Sequence, residues 1–143
     1  MTVLDAPPMF VLGIRAYSKG YSGKETMKDV WAYEIPKDLQ KKLNISKEKN
    51  PEKKLDEIAK KDNLVDVYAI ICTQPALTSL PKKKPDLMEI AIGGELPYKV
   101  EYAKKILGKT VSIKDVFQEN TFADVCAVTK GKGFKGPVKR WGI

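Results

Sequence analysis

The chain has 143 residues, of which 43% are hydrophobic and 31% charged, and this composition is typical of a single soluble domain. It contains no histidine, which excludes the commonest general base, the histidine-dependent nucleophiles and most zinc sites. Its net charge of +8 favours an anionic partner over an acid–base active site. We therefore expect a protein with no enzymatic activity, no cofactor and no small-molecule substrate.

The first 19 residues predict two strands that meet at a proline corner. The first strand covers Thr2–Leu4, and the pair Pro7-Pro8 then ends any regular ladder. The second strand covers Met9–Tyr17, where apolar side chains occupy alternate positions. A glycine-rich turn at residues 20–23 follows.

Residues 20–63 predict a helical insertion. Apolar side chains at helical spacing predict a short helix at 25–33, and Pro36 begins a second one that ends at Leu43. Asn50 and Pro51 give a start signal for a third helix, which should continue to about Lys61. The mixed charges of this block predict a solvated helical face. The side chains expected on buried faces are Met27, Val30, Trp31, Leu55, Ile58 and Ala59.

The second half of the chain predicts three strands and two helices. The apolar, β-branched runs at 64–73, 87–92 and 123–129 predict strands. A helix is predicted at 97–107, and a short one follows Ser112. Two local pairs support these helices, Glu101 with Lys105 and Ser112 with Asp115. Because helices cluster between strands instead of alternating with them, the order favours an α+β fold.

The two cysteines and the apolar runs indicate the compartment. Cys72 and Cys126 each lie inside an apolar run, and we expect two reduced thiols packed as small hydrophobic side chains. No apolar run approaches the roughly 20 residues that cross a bilayer, and Asp5, Pro7 and Pro8 interrupt the apolar stretch where a signal peptide would lie. We therefore expect a cytoplasmic protein with no membrane contact.

The basic tail, residues 130–143 (KGKGFKGPVKRWGI), is the most informative segment. It holds five of the eight net positive charges and no acid, whereas residues 1–129 are nearly balanced. Glycines let a partner approach the backbone, and aromatic rings offer faces for stacking, which together suit RNA. A frayed, solvated terminus is the alternative interpretation. The predicted RNA-binding residues of the tail are Lys130, Gly131, Lys132, Gly133, Phe134, Lys135, Gly136, Lys139, Arg140 and Trp141.

The glycine spacing of the tail also matches two nucleotide-binding patterns. Gly131, Gly133 and Gly136 have the spacing of the dinucleotide fingerprint and of the kinase glycine-rich loop. The dinucleotide motif requires a long helix at this point, but Pro137 comes at once and only six residues follow it. The kinase pattern requires a lysine and aspartates further along the chain. Nucleotide binding is therefore not predicted.

Two further basic positions are candidates for a second RNA contact. Arg15 and Lys19 lie beside Tyr17 and Tyr21, which gives cations next to aromatic rings. The run Lys82–Lys84 has the same charge, but a solvated loop explains it equally well.

Residues 88–143 resemble the archaeal and eukaryotic form of the ribosomal protein L3 family. The resemblance is carried by the pattern VTKGKGF-x-G-x-x-x-RWG at 128–142 and by the strand before it, with Phe117 seven positions ahead of Asp124-Val125. The opening VLDAPPMFVLGIRAY is similar to the strand–Pro-Pro–strand corner of the family. Residues 20–85 match only loosely, as an insertion of variable sequence.

The resemblance implies a structural constituent of the large ribosomal subunit. Family members bind large-subunit ribosomal RNA, contact neighbouring ribosomal proteins and support subunit assembly near the peptidyl transferase region. Their fold implies a partial, open β-barrel of the translation-protein type with an α-helical insertion. Because family members begin before Thr2 and continue past Ile143, we expect an internal fragment of the family with an incomplete barrel.

The expected organisation is a single domain over 1–143. Residues 1–19 and 64–143 supply barrel-like strands and a helix, 20–63 the helical insertion and 130–143 the RNA-contacting tail. The resemblance places the RNA-facing positions in that tail. The alternative function is a protein-interaction module that uses the helical insertion and has no nucleic-acid role. An enzyme is the third possibility and is disfavoured by the missing histidine.

Overall fold

An antiparallel sheet and several short helices make up the fold in the computed structural model, which describes residues 4–43, 45, 49–61 and 63–142. The strands are β1 (Met9–Gly20), β2 (Gly23–Trp31), β3 (Leu64–Cys72), β4 (Leu87–Ala91) and β5 (Thr110–Val111). The helices are α1 (Lys37–Leu43), α2 (Pro51–Ala59), α3 (Leu96–Ile106), α4 (Ile113–Val116) and α5 (Pro137–Trp141), and a 3-10 turn covers Pro75–Leu77.

The sheet is built around β1. Its neighbours are β2 on one side and β3 on the other, and β4 follows β3, so the order is β2-β1-β3-β4. The two residues of β5 pair with Met9 and Phe10 at the start of β1. Every pairing is antiparallel, and the sheet does not close on itself within the described residues. The predicted α+β class is confirmed, with an open antiparallel sheet.

From Phe10 to Ile14 both faces of β1 are buried, which explains the nearly continuous apolar sequence of this half of the strand. Neighbouring residues of a strand point to opposite faces, and Val11 packs in one hydrophobic cluster while Phe10 and Leu12 pack in another. The first cluster lies under α2 and α3, with Leu55, Ile58 and Ala103. The second lies under α1, with Ala32, Ile35, Leu39 and Cys72.

The helix predicted at 25–33 is wrong, because this segment forms β2. The turn at residues 21–22 reverses the chain beside β1, and the free hydrogen-bonding edge of that apolar strand outweighs the weak helical spacing of Met27 and Val30. The β1–β2 register shifts between Ala16 and Tyr17. Such a bulge interrupts the two-residue alternation and hides the strand from a periodicity argument.

Most of the remaining elements are confirmed. The predicted strands at 64–73 and 87–92 form β3 and β4, and the helices predicted at 36–43, 51–61 and 97–107 form α1, α2 and α3. Burial of Ala59 is wrong: α2 ends there, and the residue is exposed. Residues 2 and 3 of the first predicted strand lie outside the described residues, and Leu4 has no regular structure.

The strand predicted at 123–129 is wrong in the structure. These residues have neither helical nor strand hydrogen bonding, and all of them are exposed. An apolar, β-branched composition predicts burial, but it does not supply a partner edge, and no described strand pairs with this segment. The expected burial of Cys126 is wrong for the same reason. Cys72 is buried as expected, and this burial raises the pKa of its thiol to about 11.

The predicted side-chain pairs near α3 and α4 are both present. The Lys105 ammonium lies 2.7 Å from the Glu101 carboxylate one helical turn away. The backbone N–H of Ser112 donates to the Asp115 carboxylate at 2.8 Å, as a capping box requires. No helix within the described residues has the length and apolar character needed to span a bilayer.

A buried carboxylate ties β2, β3 and α3 together. Asp66 of β3 accepts hydrogen bonds from the ammonium groups of Lys24 in β2 and Lys99 in α3, both at 2.6 Å, and from the N–H of Val67 at 2.9 Å. Burial opposes ionisation of Asp66, but these three donors outweigh it and lower the pKa to about 2. Lys24 also lies 5.4 Å from the centre of the Tyr68 ring.

We expect Gly13→Ala to lower the free energy of unfolding by about 1–3 kcal/mol through overpacking. A Cβ atom at Gly13 would lie 2.9 Å from the backbone oxygen of Val30 and 3.0 Å from the Trp31 ring. The matched control is Gly93→Ala, where no heavy atom lies within 4 Å of the added carbon. Chemical denaturation measures both variants, and equal stabilities would contradict the close approach of β1 and β2.

We expect Asp66→Asn to lower the free energy of unfolding at pH 7 by about 2–3 kcal/mol, since the variant lacks a carboxylate that ionises more readily in the folded state. Folding lowers the pKa of Asp66 from 3.8 to about 2, so its ionised carboxylate stabilises the folded state at pH values above the unfolded pKa. That stabilisation disappears as the pH falls through this window, so the difference between parent and variant should shrink from pH 5 to pH 2. The control is Asp124→Asn, on an exposed side chain. A difference that is independent of pH would refute the assignment.

Candidate nucleic-acid interface

The basic tail belongs to a longer exposed segment that leaves the sheet after α4. Every residue from 117 to 134 is exposed, and residues 121–136 have no regular secondary structure. The Phe134 side chain is 104% exposed and that of Trp141 is 72% exposed. Leaving such large aromatic surfaces in water is unfavourable unless a partner covers them.

The cations of the tail lie outside the ion pairs that the described part of the chain forms. Among the described residues, none of the ion pairs involves a lysine or the arginine of the tail. Six acids of the body are instead paired with cations of the body: Asp29, Asp56, Asp66, Asp86, Glu89 and Glu101. The tail therefore presents its positive charge without a compensating carboxylate, which is the arrangement that attracts phosphate groups.

Two backbone features shape the tail. Gly133 has a φ of 68°, a left-handed conformation that residues with a side chain rarely adopt. Helix α5 begins at Pro137 and is only five residues long, so the glycine spacing opens no helix that would hold a pyrophosphate. This helix was not predicted, and it places Lys139 and Arg140 in its last turn, where the helix dipole favours cations.

The second predicted RNA contact differs from the tail, because the guanidinium of Arg15 is already hydrogen-bonded to carboxylates of the sheet. Its guanidinium donates two hydrogen bonds of 2.6 Å to Asp29 and a third to Glu89. The pKa of Arg15 is raised, chiefly by the hydrogen bond to Asp29. Tyr17 donates to the other oxygen of Glu89 at 2.6 Å. This face of the sheet therefore carries two carboxylates at the position where a free cation was predicted.

Lys19 lies at the exposed end of β1, next to the exposed Tyr21 in the turn. The hydrogen bonds and ion pairs found among the described residues do not connect the Arg15 network to the tail. The ten candidates of the tail thus lie in one continuous segment of the chain, whereas Arg15 and Lys19 lie on β1.

Sequence reasoning missed Asp29 and Glu89 as partners of Arg15. Asp29 could be predicted as a partner of Arg15 only if residues 23–31 were recognised as a strand, because the β1–β2 register then places Asp29 directly opposite Arg15. Glu89 lies on β4, two strands away, and its proximity to Arg15 depends on the sheet order.

At the lysine run 82–84, Lys82 pairs with Asp86, as in an ordinary solvated loop. No group of three or more potential metal ligands occurs in the described part of the chain.

Comparison with known proteins gives one consistent family. The family model described as Ribosomal protein L3 matches residues 1–143. The large ribosomal subunit protein uL3 of Methanococcus aeolicus is 50% identical over 145 residues, and its counterpart in Methanocaldococcus jannaschii is 45% identical over 145 residues. Each alignment covers 100% of this chain and 43% of the relative. The chain therefore spans less than half the length of these relatives, and over its whole extent it belongs to the ribosomal protein L3 family.

Proposed function

We propose that this chain binds large-subunit ribosomal RNA through its basic tail and acts as a structural constituent of the large ribosomal subunit. The observation that carries the proposal is the combination of five cations that lie outside the ion pairs of the described residues with two exposed aromatic rings on a glycine-rich segment. In this role the chain has no catalytic activity, works in the cytoplasm and supports subunit assembly near the peptidyl transferase region.

The tail matches RNA chemistry in three ways. Lysine and arginine side chains contact phosphates, and this term supplies most of the affinity and its salt dependence. Glycines at 131, 133 and 136 let the backbone approach a folded RNA closely. Phe134 and Trp141 stack on unpaired bases or riboses, which fits the preference of proteins for single-stranded loops and bulges of RNA.

The body of the protein supplies the scaffold. Its sheet is open in the described residues, and we infer that it corresponds to part of a barrel of the translation-protein type with the helices α1 and α2 as an insertion. Neighbouring ribosomal proteins are the second class of partner. The relatives named above are large-subunit proteins, which favours this role over a protein-interaction module without a nucleic-acid partner.

Arg15 and Lys19 contribute less than the tail in this proposal. Lys19 is exposed and offers a cation beside Tyr21. Arg15 must give up hydrogen bonds to Asp29 or Glu89 before it can contact a phosphate, and both carboxylates repel the RNA backbone. The proposal therefore rests on the tail alone.

We expect neutralisation of the tail to weaken RNA binding and to flatten its salt dependence. Replacing Lys130, Lys132, Lys135, Lys139 and Arg140 together with glutamine removes up to five phosphate contacts. The slope of log K against log salt should then fall by roughly 0.7–0.9 for each lost contact. Filter binding or anisotropy with large-subunit ribosomal RNA at several salt concentrations measures this slope.

The matched control has the same change in net charge, made at exposed lysines within residues 37–61. It replaces Lys37, Lys41, Lys53, Lys60 and Lys61 with glutamine. If net charge alone drove binding, both variants would lose the same slope. An unchanged slope in the tail variant would rule out the tail as the contact, and a larger loss in the control would move the contact to α1 and α2.

We expect Phe134→Ala and Trp141→Ala each to weaken RNA binding while leaving the salt slope unchanged. Loss of one base–aromatic stack costs about 1–3 kcal/mol, which is roughly a 5- to 150-fold loss of affinity. The control is Tyr98→Ala on α3, an exposed aromatic residue outside the tail. Equal affinities for all three variants would show that the rings do not stack on RNA.

A further inference from the structure

The glycines of the basic tail fall into two groups by their backbone conformation. Gly133 and Gly142 have φ values of 68° and 72°, in the left-handed region that residues with a side chain rarely adopt. Gly131 and Gly136 lie outside that region, and the φ of Gly136 is −67°. The backbone therefore requires glycine at 133 and 142, but it would accept a side chain at 131 and 136.

Packing does not explain Gly131 and Gly136 either. A Cβ atom added at either position would meet no heavy atom of the described residues within 4 Å. At Gly13, where packing does exclude a side chain, the same atom would lie 2.9 Å from the backbone oxygen of Val30. A glycine also loses more conformational entropy on ordering than an alanine does. The fold of this chain therefore gives no reason for glycine at 131 or 136.

The main chain around these two glycines has unused hydrogen-bond donors. In the part of the chain that the structure describes, the N–H groups of residues 130–136 donate to no protein acceptor. Backbone N–H groups often donate to phosphate oxygens of nucleic acids. Because glycine has no Cβ, a phosphate can approach its N–H more closely than it could approach that of another residue.

A lysine stands next to each of these glycines. Gly131 lies between Lys130 and Lys132. Gly136 directly follows Lys135. None of these lysines takes part in an ion pair among the described residues. A phosphate attracted by one of them is brought close to the neighbouring glycine N–H, so a cation and an unshielded main chain occur together at two places in the tail.

We propose that phosphates of the bound RNA lie against the main chain at Gly131 and Gly136, where each accepts a hydrogen bond from the glycine N–H and contacts the neighbouring lysine. This inference rests on the proposed function and names two residues that determine its specificity. A cationic terminus that binds by charge alone has no need of glycine at these positions. A tail that binds in this way accepts only RNA whose phosphates reach the main chain, so it reads shape as well as charge.

We expect Gly131→Ala and Gly136→Ala each to lower the affinity for large-subunit ribosomal RNA by roughly tenfold or more, which is the effect of losing one hydrogen bond to a charged group. Both variants keep the cations of the tail, so the slope of log K against log salt should stay that of the parent chain. The matched control is Gly93→Ala, in the body: Gly93 also lies outside the left-handed region and has no described heavy atom within 4 Å of the added carbon. Anisotropy titrations of the full chains measure both quantities.

A second measurement removes the N–H without adding a carbon. Cys126 is exposed, so a synthetic segment 126–143 can be joined to residues 1–125 by chemical ligation at this cysteine. Glycolic acid in place of Gly131 or Gly136 replaces the N–H with an ester oxygen, and we expect the same loss of affinity. The control is the ligated chain with an unmodified backbone.

The outcomes separate this inference from the proposed function. If the parent chain binds RNA and the alanine or ester variants bind equally well, the inference is wrong and the proposed function stands. A parent chain that does not bind RNA overturns both. Chemical denaturation reports the fold of each variant, and we expect the stability of the parent. A loss of stability in either alanine variant would assign that glycine to folding and would also contradict the inference.

Discussion

The central strand β1 is the constraint on which the rest of the structure depends. It pairs with β2, β3 and β5, and it separates the two hydrophobic clusters. A strand that is buried on both faces must pair on both edges, because no water is available for its backbone groups. The pairing of β1 explains why residues 23–31 are drawn into the sheet and why the helices lie on its two faces.

The ion pairs of the described residues lie in the body, and the cations of the tail lie outside them. In the body, Asp66 binds Lys24 and Lys99, while Asp29 and Glu89 hold Arg15. These pairs join neighbouring elements and leave little net charge on that face of the sheet. The tail carries cations only, and its aromatic rings are in solvent. A scaffold with internally balanced charges and a cationic extension is suited to a protein whose affinity for RNA resides in one segment.

The sequence predicted those elements whose signals are local. Asn50-Pro51 and Pro97 mark the starts of α2 and α3, and the β-branched run at 64–72 marks β3. Prediction from the sequence failed where the structure of a segment depends on pairing with a strand that lies elsewhere in the chain. Residues 23–31 became a strand because β1 lies beside them, and residues 123–129 remain unpaired although their composition resembles that of β3. Composition reports a tendency to be buried, whereas pairing depends on which edges the fold leaves open.

The candidate site shows the same division. The tail is a candidate on its charge, glycine content and aromatic residues alone, because an exposed segment needs no tertiary structure to present them. The state of Arg15 was not accessible in this way, since its carboxylate partners come from β2 and β4. The resemblance to the ribosomal protein L3 family rested on the motif at 128–142, and the match over residues 1–143 confirms it. The short helix α5 begins at Pro137, directly after Gly136, and its five residues agree with the prediction that no long helix follows the glycines.

The most direct test of the central claim is photochemical crosslinking of the full chain to large-subunit ribosomal RNA, followed by mass spectrometry of the nucleotide-bearing peptides. The account predicts that adducts concentrate on residues 130–141, with few on the helices α1 and α2. Adducts confined to those helices, or a tail peptide recovered free of nucleotides from a bound complex, would contradict it.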